Sequence, residues 1–174
     1  LMNNIDVLSY GNKFLKNSNT TTCILDSELI LARVLNITRE KLLVNLDKKL
    51  DQKSFKTYKN LLIRRKKNEP IAYIFQNKEF WKYNFKVNSD VLIPRPETEL
   101  IVQEFLKVTN YNSTKHILDI GTGSGCIIIS LLKNRPFCYG TAIDISGKAL
   151  KIAKSNAKMH HLENKIKFIN NDVD

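Results

Sequence analysis

Three glycines alternate at Gly121, Gly123 and Gly125 within the stretch ILDIGTGSGCIIISLL. They follow an apolar run that carries Asp119 two residues before the first glycine. A glycine turn between a strand and a helix lets backbone approach a ligand closely. A phosphate loop of the ATPase type needs Lys and then Ser or Thr after its last glycine, and Cys126 and Ile127 stand there instead. A dinucleotide fingerprint starting at Gly121 would put its third glycine at position 126, which is Cys126. That weakens a dinucleotide reading without removing it. Asp119 discriminates further, because a carboxylate repels a phosphate and attracts an ammonium group. The ligand that fits is one with a free amino group and no phosphate, S-adenosylmethionine.

Two further carboxylates follow at strand ends. Asp144 closes CYGTAID, 23 residues after Gly121. A carboxylate there accepts hydrogen bonds from ribose hydroxyls, which would serve NAD equally. Asp172 closes KIKFINND and suits an exocyclic adenine amine. Asp often begins the turn after a strand for local reasons. That explanation serves for one of the three and poorly for all three with the glycines between.

These residues need a scaffold, and the periodicity supplies one. Residues 116–120 read as a buried strand, 125–133 as a helix, 138–144 as a strand, 146–160 as a helix and 165–169 as a third strand. Strand and helix in alternation imply parallel pairing with right-handed crossovers. Three such strands are half of a doubly wound, Rossmann-like sheet.

The chain before this region is organised differently. Residues 1–68 read as helices. Ile24, Leu25, Leu29, Leu31, Ala32 and Leu35 give one apolar face, with Asp26 and Ser27 near its start. Thr38 and Asp51 are expected to cap two further helices, the second ending in RRKKNEP, residues 64–70. Basic residues in a last turn suit the negative end of the helix dipole, and Pro70 prevents continuation. The run needs no nucleic acid to explain it. Residues 71–88, IAYIFQNKEFWKYNFKVN, are aromatic and β-branched with a polar break at Gln76, Asn77 and Lys78, so a β-hairpin is expected. Its aromatics among lysines could stack on bases, but a packed hairpin face is the better account. Pro94 and Pro96 then stiffen the approach to a helix opened by Glu97 and Glu99.

Composition sets the outer limits. The 174 residues are 43% apolar and 26% charged, without repeats, and carry a net charge of +11. Before His116 stand 20 basic and 12 acidic residues, and after it 8 and 5. Such a balance favours an acidic partner, nucleic acid or an RNA-bound protein among them, or simply many solvated lysines. No apolar run approaches the roughly 20 residues that span a bilayer. Residues 1–14 lack the basic-then-apolar pattern of a secretory signal. Cys23, Cys126 and Cys138 have neither metal-ligand nor disulfide spacing, so a reducing cytoplasm is the expected location.

Together these stretches resemble the release factor glutamine methyltransferases, the PrmC/HemK family. The resemblance rests on EPIAYIFQNKEFW (69–81), VLIPRPETELIV (91–102), ILDIGTGSGCIIISL (117–131), AIDISGKALKIAKSNA (142–157) and FINND (168–172). The glycine loop is shared by many methyltransferases, whereas IPRPETE and EPIAYI are more specific. The resemblance implies an α/β fold in three parts. Residues 1–70 form a small helical substrate-binding domain, 71–90 a β-hairpin linker, and 91–174 an incomplete S-adenosylmethionine-dependent methyltransferase domain. It also implies N5-methylation of the glutamine in the Gly-Gly-Gln loop of peptide chain release factors, in translation termination. Gly121, Thr122, Gly123, Ser124 and Gly125 would then wrap the methionine part of the cofactor, with Asp119 beside its amino group. Asp144 would take the ribose hydroxyls, and Asp172 with Val173 would border the adenine. Relatives often carry a larger side chain at the Val173 position. Residues 95–98 would line the site's entrance.

The family's catalytic Asn-Pro-Pro-Tyr follows a fourth strand, and no Asn-Pro-Pro occurs in these 174 residues. No catalytic residue is therefore assigned, no metal is implied, and this chain is expected not to methylate by itself. Three other readings compete. An RNA or DNA adenine methyltransferase would explain the charge, although IPRPETE and the helical front favour the protein-glutamine reading. A non-catalytic partner-binding fragment is the second. An NAD oxidoreductase is the third, disfavoured by Cys126 and Asp119. Release factors imitate tRNA and visit the ribosome, so the basic surface is compatible with nucleic-acid contact without requiring it.

Overall fold

The computed structural model describes residues 2–16 and 21–173. The helical expectation for residues 1 and 17–20, and the last residue of the expected methyltransferase domain, lie outside these. The chain divides into two compact units, residues 1–75 and 76–174.

The first unit is helical. It contains α1 (Asn4–Lys16), α2 (Cys23–Leu35), α3 (Arg39–Leu43), α4 (Gln52–Lys66) and α5 (Ile71–Phe75). Helices α1, α2 and α4 bury Val7, Leu15, Ile30, Leu31, Tyr58 and Leu62 completely. Each such side chain contributes about 1.5–3 kcal/mol through its removal from water. The expected caps are present. Thr38 Oγ1 accepts the Lys41 amide at 3.2 Å, and Asp51 Oδ1 accepts the Ser54 amide at 2.9 Å.

Asp26 and Ser27 serve the core as well as the start of α2. Asp26 accepts hydrogen bonds from Arg65 Nε at 2.7 Å and Thr22 Oγ1 at 3.0 Å. Ser27 and the Tyr58 hydroxyl share a bond of 2.6 Å, and burial pushes the Tyr58 phenol up to about 12. The basic run at the end of α4 is largely engaged. Arg64 forks onto Glu69, Arg65 pairs with Asp26, and Lys66 lies 4.4 Å from the centroid of the Phe14 ring.

The structure departs from expectation at residues 71–75, which are a helical turn rather than the first strand of a hairpin. Helix α4 ends at Lys66, ahead of the left-handed Asn68 (φ +63°), and Pro70 begins α5, its carbonyl accepting the amides of Tyr73 and Ile74 at 3.0 Å. Ile71 and Phe75 pack on the helical core, so the helical unit extends past residue 70. The hairpin itself is short, β1 (Lys78–Phe80) and β2 (Tyr83–Phe85), with Lys78 opposite Phe85. Phe80 and Phe85 are buried and meet edge to face at 6.2 Å, so the aromatic face is spent on packing.

In the second unit a 3₁₀ turn, Pro96–Thr98, leads into α6 (Glu99–Val108). The sheet follows as β3 (His116–Ile120), β4 (Tyr139–Asp144) and β5 (Ile166–Asn170), all parallel in the order β3-β4-β5. Helices α7 (Cys126–Asn134) and α8 (Gly147–Met159) make the crossovers. This is the expected Rossmann-like half-sheet. One face of the sheet places Ile117, Ala142, Ile166 and Phe168 in the core with α7. On the other, Leu118, Ile120 and Tyr139 are 56%, 55% and 56% exposed. Among the described residues no helix is long and apolar enough to cross a membrane.

Candidate functional site

Parallel pairing brings the carboxyl ends of all three strands to one edge, where ligands of open α/β sheets bind. The turn after β3 is held by backbone. The Gly121 and Thr122 amides both donate to the Ile143 carbonyl, at 2.8 and 3.0 Å, and the Gly125 amide donates to the Thr122 carbonyl at 2.8 Å. The chain can make these bonds only with φ positive at Gly121 (+72°), Gly123 (+55°) and Gly125 (+78°), the left-handed region that side chains disfavour. This is the physical reason for alternating glycines. Thr122 and Ser124, between them, are buried.

Two carboxylates frame the turn. Asp144 Oδ2 accepts the Gly123 amide at 2.9 Å, and its Oδ1 accepts the Ser146 amide at 2.8 Å. Asp119 Oδ2 accepts the Thr122 hydroxyl at 2.8 Å. Burial raises the Asp119 carboxyl above the usual carboxylate range, and the nearby charge of Asp144 adds to this. Among the described residues no basic side chain forms an ion pair with either carboxylate. The geometry thus leaves a half-buried negative group, without a basic partner among the described residues, beside an open backbone cradle. A Cβ added at Gly121 would meet nothing within 4 Å.

Comparison with known proteins bears on this geometry. Residues 6–75 match the PrmC N-terminal domain, and residues 96–174 match the methyltransferase small domain. The release factor glutamine methyltransferase of Coxiella burnetii is 45% identical over 80% of this chain and 50% of its own length. That of Leptospira interrogans is 39% identical over 97% of this chain and 60% of its own. The bifunctional methyltransferase of Rickettsia felis is 35% identical over 95% of this chain and 37% of its own. The chain belongs to the PrmC/HemK family. It spans about half the length of the curated relatives it matches.

A methyltransferase small domain implies S-adenosylmethionine as the methyl donor. Its ammonium would supply a cation beside Asp119, and the open space at Gly121 leaves room beside the turn. The residues present therefore fit the group. The third expected carboxylate is placed differently from the other two. Asp172 lies two residues beyond the end of β5 and is exposed, its Oδ1 accepting the Val173 amide at 2.9 Å. Val173 is 54% exposed. The structure thus brings Asp119, Asp144 and the glycines together, with Asp172 and Val173 on the segment that leaves the same edge.

A residue missed in the sequence closes the third strand. Asn170 Nδ2 donates to the carbonyls of Asp144 and Ile145 at 2.9 and 2.8 Å, fixing the loop that carries Asp144. Its signal was the first asparagine of FINND, overshadowed by the aspartate after it. Cys126, beside the turn, is no nucleophile at neutral pH, since burial pushes its thiol up to about 11. Among the described residues no cluster of His, Cys, Asp and Glu could hold a metal ion.

Proposed function

We propose that this chain serves the S-adenosylmethionine-dependent N5-methylation of the glutamine in the Gly-Gly-Gln loop of peptide chain release factors. Translation termination in the cytoplasm would be its setting. The observation that carries the cofactor half of this reading is Asp119, half-buried, raised above its ordinary range and, among the described residues, unpaired with any basic group. The match to the PrmC N-terminal domain and the names of the relatives support the substrate half.

In this reading Asp119 binds the ammonium of the cofactor, residues 121–125 wrap its methionine part, and Asp144 accepts from its ribose. Asp172 and Val173 border the adenine. The bound cofactor supplies an electrophilic methyl group. An amide nitrogen is a poor nucleophile, so positioning and electrostatics must carry the reaction. The groups that position the target amide in the family belong to Asn-Pro-Pro-Tyr, which these 174 residues do not contain. We assign to residues 1–174 cofactor binding and, through the helical unit, partner recognition, without methyl transfer. The basic surplus complements an acidic partner and leaves direct nucleic-acid contact unrequired.

The test is incubation of the chain with methyl-labelled S-adenosylmethionine and a purified release factor, with calorimetry of cofactor binding in parallel. Binding without label in the Gly-Gly-Gln peptide is the expected result. Label in that peptide would overturn the inactivity but keep the substrate. Label in added RNA or DNA would replace the substrate, and no binding by a folded chain would remove the cofactor site.

A further inference from the structure

Asn156 lies in α8 and is fully buried. Its side-chain amide makes three hydrogen bonds. Oδ1 accepts the Lys86 amide at 2.7 Å, while Nδ2 donates to the Lys86 carbonyl at 3.0 Å and to the Ser124 carbonyl at 2.8 Å. Lys86 follows directly on β2, and Ser124 sits between the second and third glycines of the turn. One side chain therefore joins the hairpin to the cofactor loop.

We propose that Asn156 is a positioning residue. It holds the Ser124 carbonyl, and so the left-handed turn around Gly123 and Gly125, in register with the hairpin. This rests on the cofactor reading of the turn given above.

The chemistry admits few alternatives at this position. One acceptor and two donors are needed within a short reach, and only a carboxamide supplies both. An aspartate would place a buried carboxylate against two carbonyl oxygens. An alanine would take this partner from the Lys86 amide, the Lys86 carbonyl and the carbonyl of the buried Ser124, the last being the costliest to leave unpaired.

The surroundings show what the joint connects. On the same side of α8 the His160 ring bonds the Asn84 carbonyl at 2.8 Å, and Ser155 takes Lys86 Nζ at 3.2 Å. At its tip the hairpin is tied to α6, where Glu99 Oε1 accepts the Trp81 amide at 2.9 Å. Trp81 holds φ +59°, a strained value for a non-glycine residue, so its position must be imposed by the structure around it. The hairpin thus stands between the IPRPETE segment and the glycine turn, fixed to the first by Glu99 and to the second by Asn156.

The test is hydrogen exchange by mass spectrometry on the cofactor-free chain and on Asn156→Ala and Asn156→Ser variants, with Ser155→Ala as control. Folding is checked by circular dichroism. Peptides covering 83–88 and 121–128 should exchange together at least about tenfold faster in the Asn156 variants, while α6 keeps its rate. Affinity for S-adenosylhomocysteine should fall about tenfold, and Ser155→Ala should leave both unchanged. A uniform rise in exchange over the second unit would reduce Asn156 to a general core residue and overturn the proposal. So would a loosened hairpin with an unchanged turn. Should both variants unfold, the unmodified chain decides: added S-adenosylhomocysteine should slow exchange in 83–88 as well as in 121–128, and protection of the turn alone refutes the coupling. Because the variant comparison needs no cofactor, failure of the cofactor reading would show separately, as absence of binding by the unmodified chain.

Discussion

Asp144, the last residue of β4, accepts the amide of Gly123 at 2.9 Å and so bridges two strand ends. One carboxylate shapes the glycine turn and remains able to accept more hydrogen bonds, since each oxygen has two lone pairs. Asp144→Ala is expected to act on both roles. Losing its bonds to the Gly123 and Ser146 amides should cost about 2 kcal/mol of stability in the second unit. Cofactor affinity should fall by at least about tenfold, or ~1.4 kcal/mol, measured by titration calorimetry on chain shown to be folded. Unchanged affinity would place the ribose elsewhere.

Asp119 should separate stability from binding. A carboxyl whose folded value is raised stabilises the fold fully below its unfolded value, and that contribution is lost as pH climbs through the raised value. At neutral pH the ionised group therefore works against the cofactor-free fold. Asp119→Asn keeps an acceptor for Thr122 and removes the charge. Its Tm without cofactor should exceed that of the parent at pH 7, with the gap closing as pH falls below about 4. Its affinity for S-adenosylmethionine should drop by at least about tenfold, because the ammonium loses its counter-charge. In the parent, affinity should weaken as acid protonates Asp119. An Asn variant that loses Tm at pH 7, or binds as well as the parent, contradicts the assignment.

Much of this arrangement was legible because it is local. The strands β3, β4 and β5 announce themselves as short apolar runs ending in a carboxylate or turn, and Thr38 and Asp51 cap helices through partners three residues away. Asp119 and the glycines are neighbours along the chain, so the order of residues in one short stretch already carries their chemistry. The stretch IAYIF was misleading for a physical reason. Its residues favour a strand, but Pro70 opens a helical turn and burial of Ile71 and Phe75 against the helical core decides the outcome. Asn170 and Asn156 were invisible because their partners lie 25 or more residues away. Arg65 was hidden likewise, read as part of a basic run while its carboxylate stood at Asp26.

That pair yields a prediction for the helical unit. The Arg65 and Asp26 side chains are 17% and 7% exposed, so removing the cation strands a charge in a poorly solvated place. Arg65→Ala should cost about 3 kcal/mol, whereas Lys66→Ala, a neighbour in the same run, should cost about 0.5 kcal/mol or less. Trp81 is the single tryptophan and lies in the second unit, so its fluorescence reports that unit. Helical circular dichroism should therefore move to lower temperature in Arg65→Ala while the fluorescence transition stays. Equal effects of the two substitutions would return the run to a simple solvated or ligand-binding cluster.

Two glycines of the turn should respond differently to the same change. Gly125 has φ +78°, and a Cβ there would lie 3.1 Å from Ile129 Cδ1 and 3.3 Å from Ala153 Cβ. Gly125→Ala adds crowding to backbone strain and should destabilise by about 2 kcal/mol. Gly121 has φ +72° with open space around the added atom. Gly121→Ala carries the strain alone, about 1 kcal/mol. Yet the open space at Gly121 is where the cofactor reading needs room, so its methyl should weaken S-adenosylhomocysteine binding at least about tenfold. Thermal unfolding followed by Trp81 fluorescence ranks the stabilities, and calorimetry ranks the affinities. If Gly121→Ala binds as well as the parent, the cradle beside Gly121 does not hold the cofactor, and Asp119 must find its cation from another direction.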